Sequence, residues 1–159
     1  MKIPRRRRLA SKTDYKARLS LLKSGKARLI IRKTNRYIIA QIVSSDSAQD
    51  KVVCGVTSKI LLSKGLPSEF SGSLKSLGAA YLTGFLLGKK ALSSGIKEAI
   101  LDSGMYINVK NSRIYAALKG ASDAGLSVPH KKEVLPEMES IKSERISKIF
   151  DKIVTENKK

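Results

Sequence analysis

The sequence has no tryptophan, one cysteine, one histidine, and 13 acidic residues against 32 lysines and arginines. Each shortage removes a class of explanation. A solitary Cys54 excludes an intramolecular disulfide and a zinc site of the paired-cysteine kind, and a reducing cytosol is its simplest home. Within VVCGV it reads as a small buried hydrophobe. His130 has no partner set at a ligand spacing, so a loop or interface position outweighs a role as metal ligand or general base. Asp46, Asp50, Glu69, Asp102 and Asp123 are scattered, and only Asp102 ends an expected strand. A metal-dependent nuclease needs several carboxylates converging on its ions. The phosphate-cradling glycine loops of nucleotide-binding enzymes are missing as well. No catalytic residue, cofactor or metal is therefore expected. The most apolar run, LGAAYLTGFLLG at 77–88, is about half the length of a membrane crossing and reads as a buried helix. The basic start is followed by no apolar stretch of the secretory kind.

What the chain has in abundance is positive charge, unevenly placed. The formal net charge is +19, and residues 1–36 hold 14 basic side chains against the single acid Asp14. About two thirds of the excess thus lies in the first quarter of the chain. Such a cluster repels itself and calls for a polyanionic partner. A membrane-seeking segment would alternate its cations with large apolar residues on a helical face; Arg5, Arg6, Arg7 and Arg8 are nearly pure charge, which favours nucleic acid. The hydrophobic fraction of 42% means that a core coexists with this charge.

Periodicity predicts an α/β chain. Residues 1–12 lack a hydrophobic pattern and are expected to be an extended arm, disordered in the free protein because nothing there offsets its ordering entropy. Tyr15, Leu19 and Leu22 recur at helical spacing over about 14–23, with Gly25 as a stop. Runs 28–34 and 37–43, joined at Asn35-Arg36, predict a hairpin, and KVVCGVTS at 51–58 a third strand, giving an antiparallel meander. Alternation puts Arg28, Ile30 and Arg32 on one face of the first strand, where two arginines could lie over a phosphate backbone. Arg36 and Tyr37 at the turn add a charge and a stacking ring.

Helices are expected over 74–93 and 112–125, with a short strand EAILD at 98–102 between them. Gly78, Gly84 and Gly88 lower helix propensity by about 1 kcal/mol each, so close packing is their expected use. A stripe of Ile146, Ile149, Phe150 and Ile153 predicts an amphipathic helix over about 139–156, docked on the domain or a neighbour. The organisation is a basic arm with a short helix at 1–26, an α/β RNA-binding domain at 27–128 and a C-terminal extension at 129–159.

The blocks KTDYKARLSLLKSGKARLIIRKTNRYIIAQIV, GAAYLTGFLLGKKAL, EAILDSG and RIYAALKGASDAGLSVPH resemble, in that order, the archaeal branch of the ribosomal protein L-eighteen family, the 5S-rRNA-binding proteins of the large subunit. The resemblance covers roughly residues 5–146. It implies a three-layer α/β domain of the ribonuclease-H-like (translational machinery component) kind, without catalytic function, with a helical C-terminal tail. It further implies a cytoplasmic place in the ribosome's central protuberance, with 5S rRNA, 23S rRNA and neighbouring large-subunit proteins as partners, and neither membrane binding nor homo-oligomerisation. By the matching blocks the RNA-contact candidates are Arg5, Arg6, Arg7, Arg8, Lys12, Tyr15, Arg18, Lys26, Arg28, Arg32, Lys33, Asn35 and Arg36, with Arg113 and Lys119 as lesser ones. An RNA-processing enzyme on the same scaffold and a free DNA-compacting protein are the competing readings.

Overall fold

The computed structural model describes residues 3, 5–46, 49–142 and 144–156. The elements in chain order are α1 (Arg6–Leu9), α2 (Tyr15–Lys23), β1 (Arg28–Lys33), β2 (Ile38–Asp46), β3 (Gln49–Thr57), α3 (Ile60–Ser63), α4 (Leu77–Ser93), β4 (Ile100–Asp102), α5 (Arg113–Asp123), α6 (Met138–Ile141) and α7 (Glu144–Glu156). The strands form one sheet in the order β3-β2-β1-β4. β1, β2 and β3 pair antiparallel, as the meander requires, and β4 runs parallel to β1 with Arg28 opposite Ile100. An isolated parallel bridge from Glu98 to Ser127 extends that edge.

The expected polar link at 44–50 is largely strand. β2 and β3 continue as a ladder to Asp46 opposite Gln49, because Ser45 and Asp50 are tied to Arg28. Residues 47 and 48 of that link lie outside the described residues. Of EAILD, Ile100–Asp102 form the named strand, with Glu98 joined only through the isolated bridge. The helix expected from residue 74 starts at Leu77, where the Ser76 hydroxyl accepts from the Ala79 N–H and caps it; Leu74 is buried in the turn before it. The helix expected over about 139–156 divides into α6 and α7, and the Ile146–Ile153 stripe lies wholly in α7.

Leu29 and Ile31 of β1, Ile38, Ala40 and Ile42 of β2 and Cys54 and Val56 of β3 point into one core beneath α4 and α5. A second cluster lies between α4 and α7, built on Tyr81, Phe85, Ile146, Ile149, Phe150 and Ile153. Helix α4 is therefore apolar on nearly every side: it lies between two cores. The C-terminal stripe docks on its own domain, with Phe150 stacked on Tyr81 at a centroid distance of 5.1 Å.

The glycines have the expected use. A Cβ on Gly84 would stand 1.9 Å from the Ala117 carbonyl oxygen, and one on Gly120 2.1 Å from that of Tyr81. The backbones of α4 and α5 cross where no side chain fits. No helix among the described residues is long and apolar enough to cross a membrane.

Candidate nucleic-acid interface

The arm is not wholly extended. Arg6–Leu9 form one helical turn that buries no side chain. It is folded back by polar contacts, the Arg7 Nε donating to Thr13 Oγ1 at 2.9 Å and Arg8 reaching the Asp14 carboxylate at 3.3 Å. The Arg5 guanidinium lies 4.6 Å over the Tyr15 ring. Asp14 caps α2 by accepting from Lys16 and Ala17 N–H groups, and the bond from Ala17 above all holds its carboxyl below the ordinary value. A single turn is marginal by propensity; these side chains supply what the hydrophobic pattern lacks.

A five-member ion network joins α2 to the sheet. Arg18 grips Asp50 with both terminal nitrogens, at 2.9 and 3.0 Å. Arg28 donates to Asp50 and to Ser45 Oγ on one side and to Asp102 at 3.0 Å on the other. Arg32 completes it, donating to the Asp102 carboxylate at 3.2 Å and to its carbonyl at 2.8 Å. Burial raises the Asp50 carboxyl, but hydrogen bonds from Arg18, Ser45 and Arg28 outweigh it and hold it at about 2. The hydrogen bond to Asp50 likewise raises Arg18 above its ordinary value.

The sequence pattern was right that Arg28 and Arg32 share a face, since both reach Asp102. It misjudged the exposure of Arg28, which is 1% accessible. A charge that deep must be paired, and its partners exclude it from an open phosphate-binding surface. Asp50 and Asp102 were the residues overlooked as organisers; their signal was an acid standing alone within or at the end of a strand. Asp102 also accepts from the Gly104 N–H at 2.9 Å, so its oxygens are committed. Among the described residues no group of three or more His, Cys, Asp or Glu side chains converges on one point.

The remaining candidates fall into three sectors. Arg6, Lys12, Lys33, Asn35 and Arg36 are exposed, the last two at a hairpin tip closed by the Thr34 hydroxyl donating to the Tyr37 carbonyl at 2.7 Å. Tyr37 itself lies under the Lys59 ammonium at 4.6 Å, so one face of its ring is taken. Lys26 lies at the far end of β1 and pairs with Glu98 at 2.8 Å. Lys33 and Arg113 line one groove with Met105 and Tyr106, while Arg7 and Lys12 line a neighbouring one that shares those two residues. A basic track thus runs from the arm past Tyr106 to Lys33 and Arg113. Tyr106, unmarked by any motif, anchors it by donating its hydroxyl to the Lys33 carbonyl at 2.6 Å. Lys119 is turned inward, donating to the Pro136 carbonyl at 2.7 Å.

The family model described as ribosomal large subunit proteins 60S L5 and 50S L18 matches residues 1–98. The large ribosomal subunit protein uL18 of Korarchaeum cryptofilum is 46% identical over 155 residues, covering 98% of this chain and 77% of that protein. The chain belongs to this ribosomal protein family. The uL18 proteins of Methanothermobacter thermautotrophicus and Aeropyrum pernix are 44% and 40% identical, covering 91% and 98% of this chain and 73% and 72% of their own lengths. The matched region of the family model takes in the arm, the meander and α4, so all three arginines of the ion network, Arg18, Arg28 and Arg32, lie in it.

Proposed function

We propose that this chain is a structural constituent of the large ribosomal subunit that binds 5S rRNA and holds it to 23S rRNA in the central protuberance of a cytoplasmic ribosome, beside neighbouring large-subunit proteins. The observation that carries this reading is the basic track formed by Arg7, Lys12, Lys33 and Arg113, with exposed Asn35 and Arg36 at the adjoining hairpin tip, on a chain of the uL18 type. Arginine forks and lysine ammoniums on such a track grip phosphates, and the shape of folded RNA supplies selectivity. Arg18, Arg28 and Arg32 hold the surface in place instead of lying on it. The strand order, a meander extended by a parallel strand, supports a ribonuclease-H-like reading of the domain. In that reading Asp102 is an arginine anchor and not a catalytic acid.

The test is competition binding of the purified chain to its cognate 5S rRNA against duplex DNA and unrelated structured RNA, over a range of salt. Selective binding that survives moderate salt is expected. Equal affinity for all three, lost together as salt rises, would reduce the chain to a generic polycation.

A further inference from the structure

Helix α2 and the arm stand off from the polar face of the sheet, leaving a cleft of about 560 Å³. Five cations line it, namely Arg7, Lys12, Arg18, Arg28 and Arg32. Three carboxylates, Asp14, Asp50 and Asp102, do so too, which leaves two positive charges in excess. The carboxylates are all spent: Asp14 on the α2 N-terminus and Arg8, Asp50 on Arg18 and Arg28, Asp102 on Arg28 and Arg32. The cations are not. Among the described residues Lys12 makes no ion pair, and Arg7 donates only its Nε, keeping both terminal nitrogens available. In the floor, the Nε of buried Arg28 has no acceptor. A second hollow of about 580 Å³ shares Arg7, Lys12, Arg32 and Gly104 and is walled by Met105 and Tyr106.

We propose that this cleft is a partly enclosed phosphate site, in which Arg7 and Lys12 hold one phosphate group in front of the Arg28–Arg32 floor and the Tyr106–Met105 hollow receives the attached nucleoside. The size agrees with small-ligand sites, which run from about 300 to 1,000 Å³. An anion there meets surplus positive charge and surplus donors in a partly enclosed space, where charge interactions are stronger and less screened than at the exposed hairpin tip. Gly104, at φ +63°, gives the Arg32 guanidinium its seat: a Cβ at that position would stand 3.0 Å from its central carbon. The phosphate is either a phosphodiester of the bound RNA, in which case the site deepens the RNA-binding reading and rests on it, or that of a free nucleotide.

The experiment is titration of the full chain, with its arginine side chains labelled, by inorganic phosphate, adenosine monophosphate or adenosine, following the Nε–H signals. Saturable shifts of the Arg7 and Arg28 signals are expected with phosphate and with the nucleotide, and none with adenosine. Lys12→Ala, which removes an exposed side chain without a partner, is expected to weaken phosphate binding about tenfold, as loss of one charge-assisted contact does. Lys64→Ala, an equal loss of charge outside the cleft, is expected to leave it unchanged. A response that never saturates, or that both variants weaken alike, would overturn the site. Competition separates the two sources: 5S rRNA displaces adenosine monophosphate from the cleft if the phosphate is the RNA's, and both bind together if it is a free nucleotide's. Failure of 5S rRNA binding beside a saturable phosphate response would overturn the RNA reading and leave the cleft standing.

Discussion

Arg28 and Asp102 meet at 3.0 Å across the β1–β4 junction, 74 positions apart in the chain. Both are buried, and the same guanidinium holds Asp50, 22 positions away. Breaking one side of such a pair leaves a charge in a low-dielectric interior, which costs about 3–5 kcal/mol. Asp102→Ala is expected to lower the unfolding free energy by that amount, read as a lower urea midpoint at unchanged slope. Arg28→Met together with Asp102→Leu should cost clearly less than the two single changes added; simple additivity would show that the groups do not act as a unit.

The α4–α5 crossing makes a sharper demand. Gly84→Ala and Gly120→Ala place a methyl group within 1.9 and 2.1 Å of a carbonyl oxygen, so one helix must move. Overpacking of this kind costs about 3 kcal/mol or more. Gly72→Ala, which meets nothing within 4 Å, should change the thermal midpoint little. Comparable losses at all three positions would contradict the close approach.

Acid acts through Asp50, whose carboxyl is held at about 2 in the folded chain, against about 3.9 when unfolded. A depressed folded value stabilises above the unfolded one and is lost as pH falls through the folded one. The window is therefore from about pH 4 down to about pH 2. Because Asp50 is open to solvent on one side, about 1 kcal/mol is expected after screening. In thermal melts Asp50→Asn should be less stable than the parent at neutral pH, with the difference vanishing near the bottom of that window. A constant difference down to that pH would assign the loss to packing.

The arm should contribute grip without contributing fold, because α1 buries no side chain. Changing Arg5, Arg6, Arg7 and Arg8 together to Ala removes up to four phosphate contacts, which lowers the slope of log affinity against log salt by up to about 3. Filter binding across salt measures it, with circular dichroism as the check on folding. An unchanged slope and affinity would take the arm off the RNA.

Phe150 anchors α7 by its stack on Tyr81. Phe150→Ala is expected to cost about 3 kcal/mol and to speed amide exchange in α7 before α4. Exchange that rises equally in both helices would mean that α7 is part of the single cooperative unit.

Local pattern carried much of this molecule into view. Alternation in LIIRK and YIIAQI, the helical recurrence of apolar residues, the glycines of LGAAYLTGFLLG and the stripe through Ile153 each report a neighbour only a few positions away, so the meander, α4, α5 and the docked tail were legible. Charge density in the first 36 residues marked the cationic end of the chain for the same reason. What the sequence alone could not decide was which cations face outward. Arg18, Arg28 and Arg32 look like Arg6 and Arg36 in composition and spacing, yet they are drawn in by Asp50 and Asp102, which come from other strands. The turn at Arg6–Leu9 likewise depends on the side-chain contacts of Arg7 and Arg8 with Thr13 and Asp14, not on any periodicity of its own. Apolar periodicity is a local property, but the pairing of a buried charge is settled only when distant strands bring its counter-ion within about 3 Å, and that belongs to the tertiary fold.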